Sequence, residues 1–256
     1  MSVDTGNGTR DLWTYDLARG LRTRQTVDPG NEYDGVWSPD GSMLAFNSSR
    51  KGVMNLYLRH VASGVEETLL EDGLSKFPQS WSPDGKFLLY LSLNPDESQD
   101  VFVLPVAGDR KPIPFVVTEF SEGIGARFSP DGRWISYTSD ESRRQEIYIK
   151  PFPDTGQRWI VSVNGGLVSS WRNDGRELYY IEPPGRLMAA SIAYGSDGPR
   201  IDAVAPIATI KTLAGPRAFY DAMPDGQRFL VNSLLDEAAR TPITLVVNWR
   251  SLLGDQ

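Results

Sequence analysis

Trp37-Ser38-Pro39-Asp40-Gly41 is the first copy of a turn pattern that recurs along the whole chain. The later copies are Trp81-Ser82-Pro83-Asp84-Gly85, Phe128-Ser129-Pro130-Asp131-Gly132, Trp171-Arg172-Asn173-Asp174-Gly175 and Ala222-Met223-Pro224-Asp225-Gly226. Proline pre-sets its φ angle, aspartate hydrogen-bonds to the nearby backbone, and glycine accepts the positive φ that closes a turn. Each copy therefore predicts a tight hairpin. The fourth copy lacks Ser and Pro, but a type I turn does not require proline.

The spacing of these turns predicts the architecture. Successive turn glycines are 44, 47, 43 and 51 residues apart, and one four-stranded propeller blade takes about 40–50 residues. Apolar residues follow each glycine by three and five positions, which places them on one face of a strand. These residues are Leu44 and Phe46, Leu88 and Tyr90, Ile135 and Tyr137, Leu178 and Tyr180, and Phe229 and Val231. We expect an all-β fold, a β-propeller of five to six four-stranded blades.

Further strands are predicted after each hairpin. Third strands are expected at Asn55–Leu58, Asp100–Leu104, Glu146–Ile149, Leu187–Ile192 and Ile243–Trp249, and outer fourth strands at Glu67–Leu70, Pro114–Thr118 and Arg158–Val163. No segment has a sustained apolar period of 3.6 residues, so almost no helix is expected.

The first blade is predicted to be incomplete. Asp11–Leu17 has the pattern of a third strand and Thr23–Val27 that of a fourth, while Met1–Val3 fits only the end of a second strand. An incomplete blade leaves an open edge, which favours self-association or closure by Ile243–Trp249. The whole chain, 1–256, is interpreted as one propeller domain. Its blades span approximately 1–30 (partial), 31–73, 74–118, 119–164, 165–213 and 214–250.

These hairpins resemble the TolB-type, WD-repeat-like propeller repeat over nearly the whole chain. Phe128–Trp134, Tyr137–Ser142, Pro151-Phe152-Pro153, Trp171–Leu178 and Pro242–Trp249 also resemble the C-terminal propeller of membrane-anchored bacterial serine/threonine kinases. That resemblance implies an extracytoplasmic or periplasmic sensor or scaffold detached from its kinase. The chain departs from the family because it contains neither the kinase domain nor the membrane span.

Composition excludes several classes of partner and site. The net charge is −7, and no dense basic run exists, whereas nucleic-acid binders present a basic face. Apolar runs such as Ile243–Val247 are too short to span a bilayer, so we expect a soluble chain with no membrane insertion. With no cysteine, disulfides and thiolate metal sites are impossible.

Catalytic motifs are not found either. The kinase nucleotide motifs and the Gly-x-Ser-x-Gly nucleophile elbow do not occur, and the single histidine, His60, is expected to be an ordinary exposed residue. The acidic loops Asn94–Asp100 and Ser139–Ser142 lack calcium-loop spacing. We therefore predict no catalytic residue, no metal and no cofactor. Trp37, Trp81 and Trp171 recur by blade and are predicted to belong to the core.

Residues that differ between blades are better candidates for binding. The innermost strand of each blade leads into the central channel, and its entry residues can face a ligand or simply line hydrated space. The candidates for ligand binding at the channel mouth are Asp34, Lys76, Glu122, Arg127, Ser169, Tyr220 and Asp221.

Three functional hypotheses follow from these observations. The first is a non-catalytic binding or sensing propeller that recognises a protein or a small molecule. The second is an accessory propeller of a prolyl-oligopeptidase-like hydrolase, and the third is a calcium-dependent lactonase-type propeller enzyme. Fold alone does not choose among them.

Overall fold

The computed structural model describes residues 1–6, 8–210, 220–223 and 225–231, together with the backbone of 244–247. These residues form strands and turns with no helix, so the described chain holds no helix of the length and apolarity that crossing a bilayer requires. The strands build six antiparallel sheets, one after another along the sequence. Each sheet falls within one predicted blade range, and we number the blades 1 to 6 accordingly.

Blades 1 to 3 lie in the first of two compact units, Met1–Glu119. Blade 1 has three strands, β1 (Ser2–Asp4), β2 (Arg10–Asp16) and β3 (Leu21–Arg24). Blade 2 has β4 (Glu32–Trp37), β5 (Met43–Lys51), β6 (Val53–His60) and β7 (Glu66–Leu70). Blade 3 has β8 (Lys76–Trp81), β9 (Phe87–Leu93), β10 (Gln99–Pro105) and β11 (Ile113–Val116).

Blades 4 to 6 lie in the second unit, Phe120–Gln256. Blade 4 has β12 (Glu122–Phe128), β13 (Trp134–Ser139), β14 (Glu146–Pro151) and β15 (Trp159–Ile160). Blade 5 has β16 (Leu167–Trp171), β17 (Glu177–Glu182), β18 (Arg186–Gly195) and β19 (Gly198–Thr209). The described strands of blade 6 are β20 (Tyr220–Ala222), β21 (Arg228–Val231) and β22 (Thr244–Val247).

The recurring turns close the first hairpin of blades 2, 3 and 4 through the same serine contacts. In the first copy, Ser38 Oγ donates to Asp40 Oδ1 at 2.6 Å and accepts the N–H of Met43 at 2.9 Å. Serine hydroxyls hold the pKa of Asp40 down at about 2 because they hydrogen-bond to the ionised carboxylate. In the fourth copy Arg172 replaces the serine, and its Nε donates to Asp174 at 2.8 Å. The turn therefore survives without Ser and Pro, as predicted.

The core lies between consecutive blades. Leu12 of blade 1 packs with Leu44, Phe46 and Tyr57 of blade 2, and Leu56 and Leu58 of blade 2 pack with Leu88 and Tyr90 of blade 3. The second unit repeats this packing between blades 4 and 5 and between blades 5 and 6. Middle strands therefore bury both faces, which explains their nearly continuous apolar runs.

Some predicted strand bounds were wrong, and local chemistry explains the differences. Thr23–Val27 was expected as a strand, but β3 ends at Arg24 because the Thr26 side chain accepts the N–H of Leu12 and replaces regular pairing. The long outer strand β19 was not predicted, since its residues are largely exposed and show no apolar alternation. The predicted strand Ile243–Trp249 lies partly outside the described residues. Its described part, β22, pairs with β21 inside blade 6.

Candidate functional site

Polar residues form a buried layer at the entry of the innermost strands, a feature that turn spacing did not reveal. In blades 2 to 4, one residue from each of the first three strands lies at the same level. The sets are Glu32, Ser48 and Asn55; Lys76, Ser92 and Asp100; and Glu122, Ser139 and Glu146. All nine are at most 5% exposed. The serine that recurs seven residues after the first three turn glycines is the sequence signal for this layer.

Two of the predicted ligand-binding residues, Lys76 and Glu122, belong to this buried layer. Lys76 is fully buried, and its Nζ donates to a carboxylate oxygen of Asp72 and to the carbonyl of Leu74 at 2.7 Å. The ammonium therefore fastens the loop that enters β8. Glu122 is also fully buried, at the first position of β12. Neither side chain reaches the surface, so direct contact with a ligand would require these loops to move.

Glu32 occupies the same level in blade 2 and carries a perturbed carboxyl group. Its Oε1 accepts from Ser48 Oγ at 2.8 Å and lies 3.6 Å from Nη2 of Arg50. The same guanidinium pairs with Asp28 and Glu66, each at 2.8 Å, and lies over the ring of Tyr57. Burial raises the pKa of Glu32 to about 7, although Ser48 and Arg50 act in the opposite direction.

The innermost strands carry a β-bulge at the same place. Pairing shifts register after Tyr33 in β4, after Pro78 in β8, after Gly123 in β12 and after Leu167 in β16. Within these bulges Asp34 and Val168 adopt positive φ angles of 50° and 51°, which is uncommon for non-glycine residues. A bulge re-aims the side chains around it. Asp34 is half-buried, and Asn47 Nδ2 donates to its Oδ2 at 3.5 Å.

Ser169 and Tyr220 join the innermost strands of the second unit. Ser169 Oγ lies 3.0 Å from the carbonyl of Gly125 and 2.8 Å from Ser136 Oγ. The Tyr220 hydroxyl donates to the carbonyl of Val168 at 3.0 Å. Both side chains are buried, and burial raises the pKa of Tyr220 far above its usual value. These two candidates therefore link β12 to β16 and β16 to β20.

Arg127 and Asp221 are the candidates of this unit that solvent reaches. Arg127 is half-buried near the end of β12, and Asp221 is exposed in the centre of β20. Surrounding protein atoms raise the pKa of Asp221 by displacing water, while the positive charge of Arg127 lowers it. Arg127 and Asp221 thus place opposite charges within electrostatic reach of each other.

Two of the three recurring tryptophans, Trp81 and Trp171, join neighbouring blades. Trp81 Nε1 donates to the carbonyl of Val36 at 3.0 Å, and Trp171 Nε1 donates to that of Arg127 at 3.3 Å. Trp81 and Trp171 are 6% and 8% exposed, which confirms that they belong to the core. Trp37 was expected to match them, but it is 44% exposed. In blade 1, no inner strand precedes it among the described residues.

The single histidine and the first acidic loop have ordinary protein partners. The His60 side chain is 46% exposed and lies 3.6 Å from Glu67. In the acidic loop before β10, Asn94 Nδ2 donates to Ser98 Oγ and to Asp100 Oδ2, each at 2.9 Å. Among the described residues no three His, Cys, Asp or Glu side chains come together as a metal site would require.

Comparison with known proteins establishes the fold. No protein-family model and no curated protein matches the chain. TolB from Acinetobacter baumannii superposes with a TM-score of 0.75 at 20% identity, over 93% of this chain and 57% of TolB. The Cps50 (Swd1) β-propeller domain from Myceliophteria thermophila superposes with a TM-score of 0.56 at 16% identity, over 87% of this chain and 71% of that domain. An oligogalacturonate lyase from Vibrio parahaemolyticus superposes with a TM-score of 0.58 at 12% identity, over 95% of this chain and 84% of the lyase.

These matches confirm the predicted fold class, an all-β propeller of the TolB-like and WD-repeat-like type. The first blade has three described strands. The chain spans 57% of the length of the Acinetobacter TolB. Because the sequence identities are 20% or less, these similarities show the fold and not the function. The matched structures include an enzyme as well as TolB, so the fold leaves the activity of this chain open.

Proposed function

We propose that this chain is a non-catalytic binding propeller that recognises a ligand carrying both a cationic and an anionic group. The observation that carries the proposal is the electrostatic interaction between Arg127 and the exposed Asp221 in the second unit. A carboxylate in crowded, water-poor surroundings binds a cation more strongly than one on an open surface. Arg127 offers a planar fork of donors to a carboxylate. A short peptide or a zwitterionic small molecule supplies both groups.

Rigid support for this pair favours recognition. Ser169 and Tyr220 hold the backbones of β16 and β20 through buried hydrogen bonds. A recognition surface held in this way loses little conformational entropy when a ligand binds. No group of this pair is positioned as a nucleophile with its own general base, which is why we propose binding and not catalysis.

The test is an NMR titration of the protein with glycyl-glycine as the zwitterionic probe. The N-acetylated and C-amidated forms of the dipeptide serve as comparisons. We expect the unmodified peptide to bind, the two blocked forms to bind more weakly, and Asp221→Asn or Arg127→Gln to weaken binding about tenfold. Asp202→Asn is the matched control, since Asp202 lies on the outer strand β19 of the same unit. Equal titrations for all variants and all three peptides would exclude the proposed site.

The dependence of ligand binding on pH provides a second test of the proposed site. Because the pKa of Asp221 is raised, its carboxylate accepts a proton at a higher pH than an ordinary aspartate. Binding of a cationic group should therefore be lost on acidification before other surface carboxylates titrate. A binding constant that stays flat until the pH falls below about 4 would contradict this role for Asp221.

The finer part of the proposal is that the module belongs to a receptor-like serine/threonine kinase, and it rests on the sequence resemblance given above. Sequencing the DNA upstream of the Met1 codon tests it. An open frame encoding a membrane span and a kinase domain supports the proposal. A hydrolase domain there favours the accessory-propeller hypothesis, and a Ca²⁺-dependent rise in melting temperature favours the lactonase-type hypothesis.

A further inference from the structure

The connector 25–31 joins β3 of blade 1 to β4 of blade 2. Its two ends are fixed by hydrogen bonds, because Thr26 Oγ1 accepts a backbone N–H of β2 and the N–H of Asn31 donates to a serine hydroxyl of β5. Between these two points, Asp28 Oδ2 lies 2.8 Å from Nη1 of Arg50 on β5. The middle of the connector is thus attached to blade 2 through the ion pair between Asp28 and Arg50.

The guanidinium group of Arg50 faces more than one carboxylate. Its Nη1 lies 2.8 Å from Glu66 Oε2 as well as 2.8 Å from Asp28 Oδ2, and its Nε donates to Ser48 Oγ at 3.0 Å. Its Nη2 is buried, has no hydrogen-bond acceptor among the described residues, and lies 3.6 Å from Glu32 Oε1. Nη2 is therefore the donor that remains for Glu32 once that carboxyl group carries a charge.

Charged and titratable groups from five strands and the connector surround Glu32 and Arg50. They are Asp11 on β2, Arg24 on β3, Asp28 in the connector, Arg50 on β5, Tyr57 and Arg59 on β6, and Glu66 on β7. With Glu32 neutral, three carboxylates of this set face three guanidinium groups. An ionised Glu32 leaves one negative charge in excess, and it does so at a fully buried position.

The charge of Glu32 changes near neutral pH. Burial raises the pKa of its carboxyl group to about 7, against the lowering effects of Ser48 and Arg50. The separation of 3.6 Å between Glu32 Oε1 and Arg50 Nη2 is too long for a hydrogen bond. The structure therefore has the arrangement expected of a neutral Glu32, and ionisation favours a shorter contact between the two groups.

Asp28 and Glu66 are not held equally by their surroundings. Glu66 Oε1 also accepts from Nη1 of Arg59 at 3.0 Å, and its side chain is more buried than that of Asp28. Water can replace the guanidinium at Asp28 at a lower cost, since a half-exposed carboxylate is already partly hydrated. A movement of Arg50 toward an ionised Glu32 therefore separates Arg50 from Asp28 first.

We propose that Glu32, Arg50 and Asp28 form a proton-controlled latch on the connector between blades 1 and 2. Below neutral pH, Glu32 is neutral, and Arg50 binds Asp28 and keeps the connector against blade 2. Above neutral pH, Glu32 releases its proton to solvent, Nη2 of Arg50 hydrogen-bonds to the carboxylate, and Asp28 separates into water. The latch lies in the first unit and is independent of the proposed binding at Asp221.

A nitroxide spin label on the connector measures this release. The chain contains no cysteine, so Val27→Cys provides a single attachment point, and the label does not disturb the packing because Val27 is 76% exposed. Electron paramagnetic resonance spectra at about pH 5.5 and about pH 8.5 lie on either side of the charge change. We expect the ratio of mobile to immobile label to rise about threefold to fivefold at the higher pH, as the loss of a partly exposed ion pair allows.

Substitutions in the labelled protein assign the response to the latch. Glu32→Gln should keep the label immobile at both pH values, because glutamine does not ionise. Asp28→Asn should leave it mobile at both, and it gives an independent result if Glu32→Gln fails to fold. Glu71→Gln is the matched control, since it removes a carboxylate that pairs with Lys51 on the surface of the same unit and should preserve the response.

Three results would overturn the latch. The first is a parent protein whose mobile fraction is the same at both pH values, and the second is a response that persists in Glu32→Gln. The third is an equal response from the label at Val65→Cys, an exposed site in the turn between β6 and β7, which would show that the whole unit loosens. A response confined to the connector, kept in Glu71→Gln and lost in both latch variants supports the proposal.

Discussion

Replacing Glu32 by glutamine should change how the stability of the protein depends on pH. Glu32 is fully buried, and burial raises the pKa of its carboxyl group to about 7 from an ordinary value of 4.5. Between these two values the folded protein holds a proton that the unfolded chain has released. The free energy of unfolding is therefore highest below about pH 4.5, falls as the pH rises toward 7, and is flat above that.

The expected size follows from the two pKa values. At about 1.36 kcal/mol per pKa unit, the interval from 4.5 to about 7 corresponds to about 3 kcal/mol. The surrounding charges set this balance: Arg50 lies 3.6 Å from Glu32 but also pairs with Asp28 and Glu66. Asp11, which pairs with Arg24, adds a negative charge that raises the pKa further.

Glutamine is neutral at every pH and keeps an oxygen that accepts from Ser48. The Glu32→Gln variant should equal the parent protein near pH 4.5 and exceed its stability by about 3 kcal/mol at pH 8. Urea denaturation at half-unit intervals from pH 4.5 to 8 measures this difference, with Glu119→Gln as an exposed control. If the difference between parent and variant does not change with pH, or if glutamine destabilises more at pH 8 than at pH 5, the reasoning is refuted.

Three further substitutions test the packing, each measured by the midpoint of urea denaturation. Trp81→Phe should lower the free energy of unfolding by about 1–2 kcal/mol because it leaves the Val36 carbonyl without its donor. Trp37→Phe should lower it by less than about 0.5 kcal/mol. Equal losses of stability would contradict a stabilising role for the hydrogen bond between Trp81 and Val36. Gly30→Ala places a Cβ 2.6 Å from the backbone nitrogen of Arg50 and should cost about 1–3 kcal/mol. Gly73→Ala, which has nothing within 4 Å, is its control, and matching midpoints would argue against the close approach. Ser129→Ala removes hydrogen bonds to Asp131 and Trp134 and should cost about 1 kcal/mol; an unchanged midpoint would show that the turn does not need its serine.

Much of the architecture follows from the sequence because it rests on local chemistry. A Pro-Asp-Gly turn and alternating apolar residues specify a hairpin whatever surrounds it. Five recurrences at a blade-like period then predict a propeller, which is the fold class of the structure. Three strands are described in the first blade, for which the sequence predicted a partial blade.

Among the predicted binding residues, the sequence did not separate exposed from buried side chains. Lys76, Glu122, Ser169 and Tyr220 are buried, whereas Asp34, Arg127 and Asp221 are reached by solvent. All seven were chosen because they lie at the entry of an innermost strand, and that criterion does not separate exposed from buried side chains. Whether any of them contacts a ligand remains a prediction.

What the sequence by itself determined is the set of local units: hairpins, their period and the strands that alternate around them. Tertiary structure alone decided the buried polar layer, the bulges of the innermost strands and the contrast between Trp37 and Trp81. Trp37 and Trp81 stand in nearly identical sequence contexts. Trp81 donates to the Val36 carbonyl of the preceding inner strand, whereas the described residues include no such strand in blade 1 for Trp37. A residue's burial depends on what neighbouring blades place against it, and no local pattern carries that information.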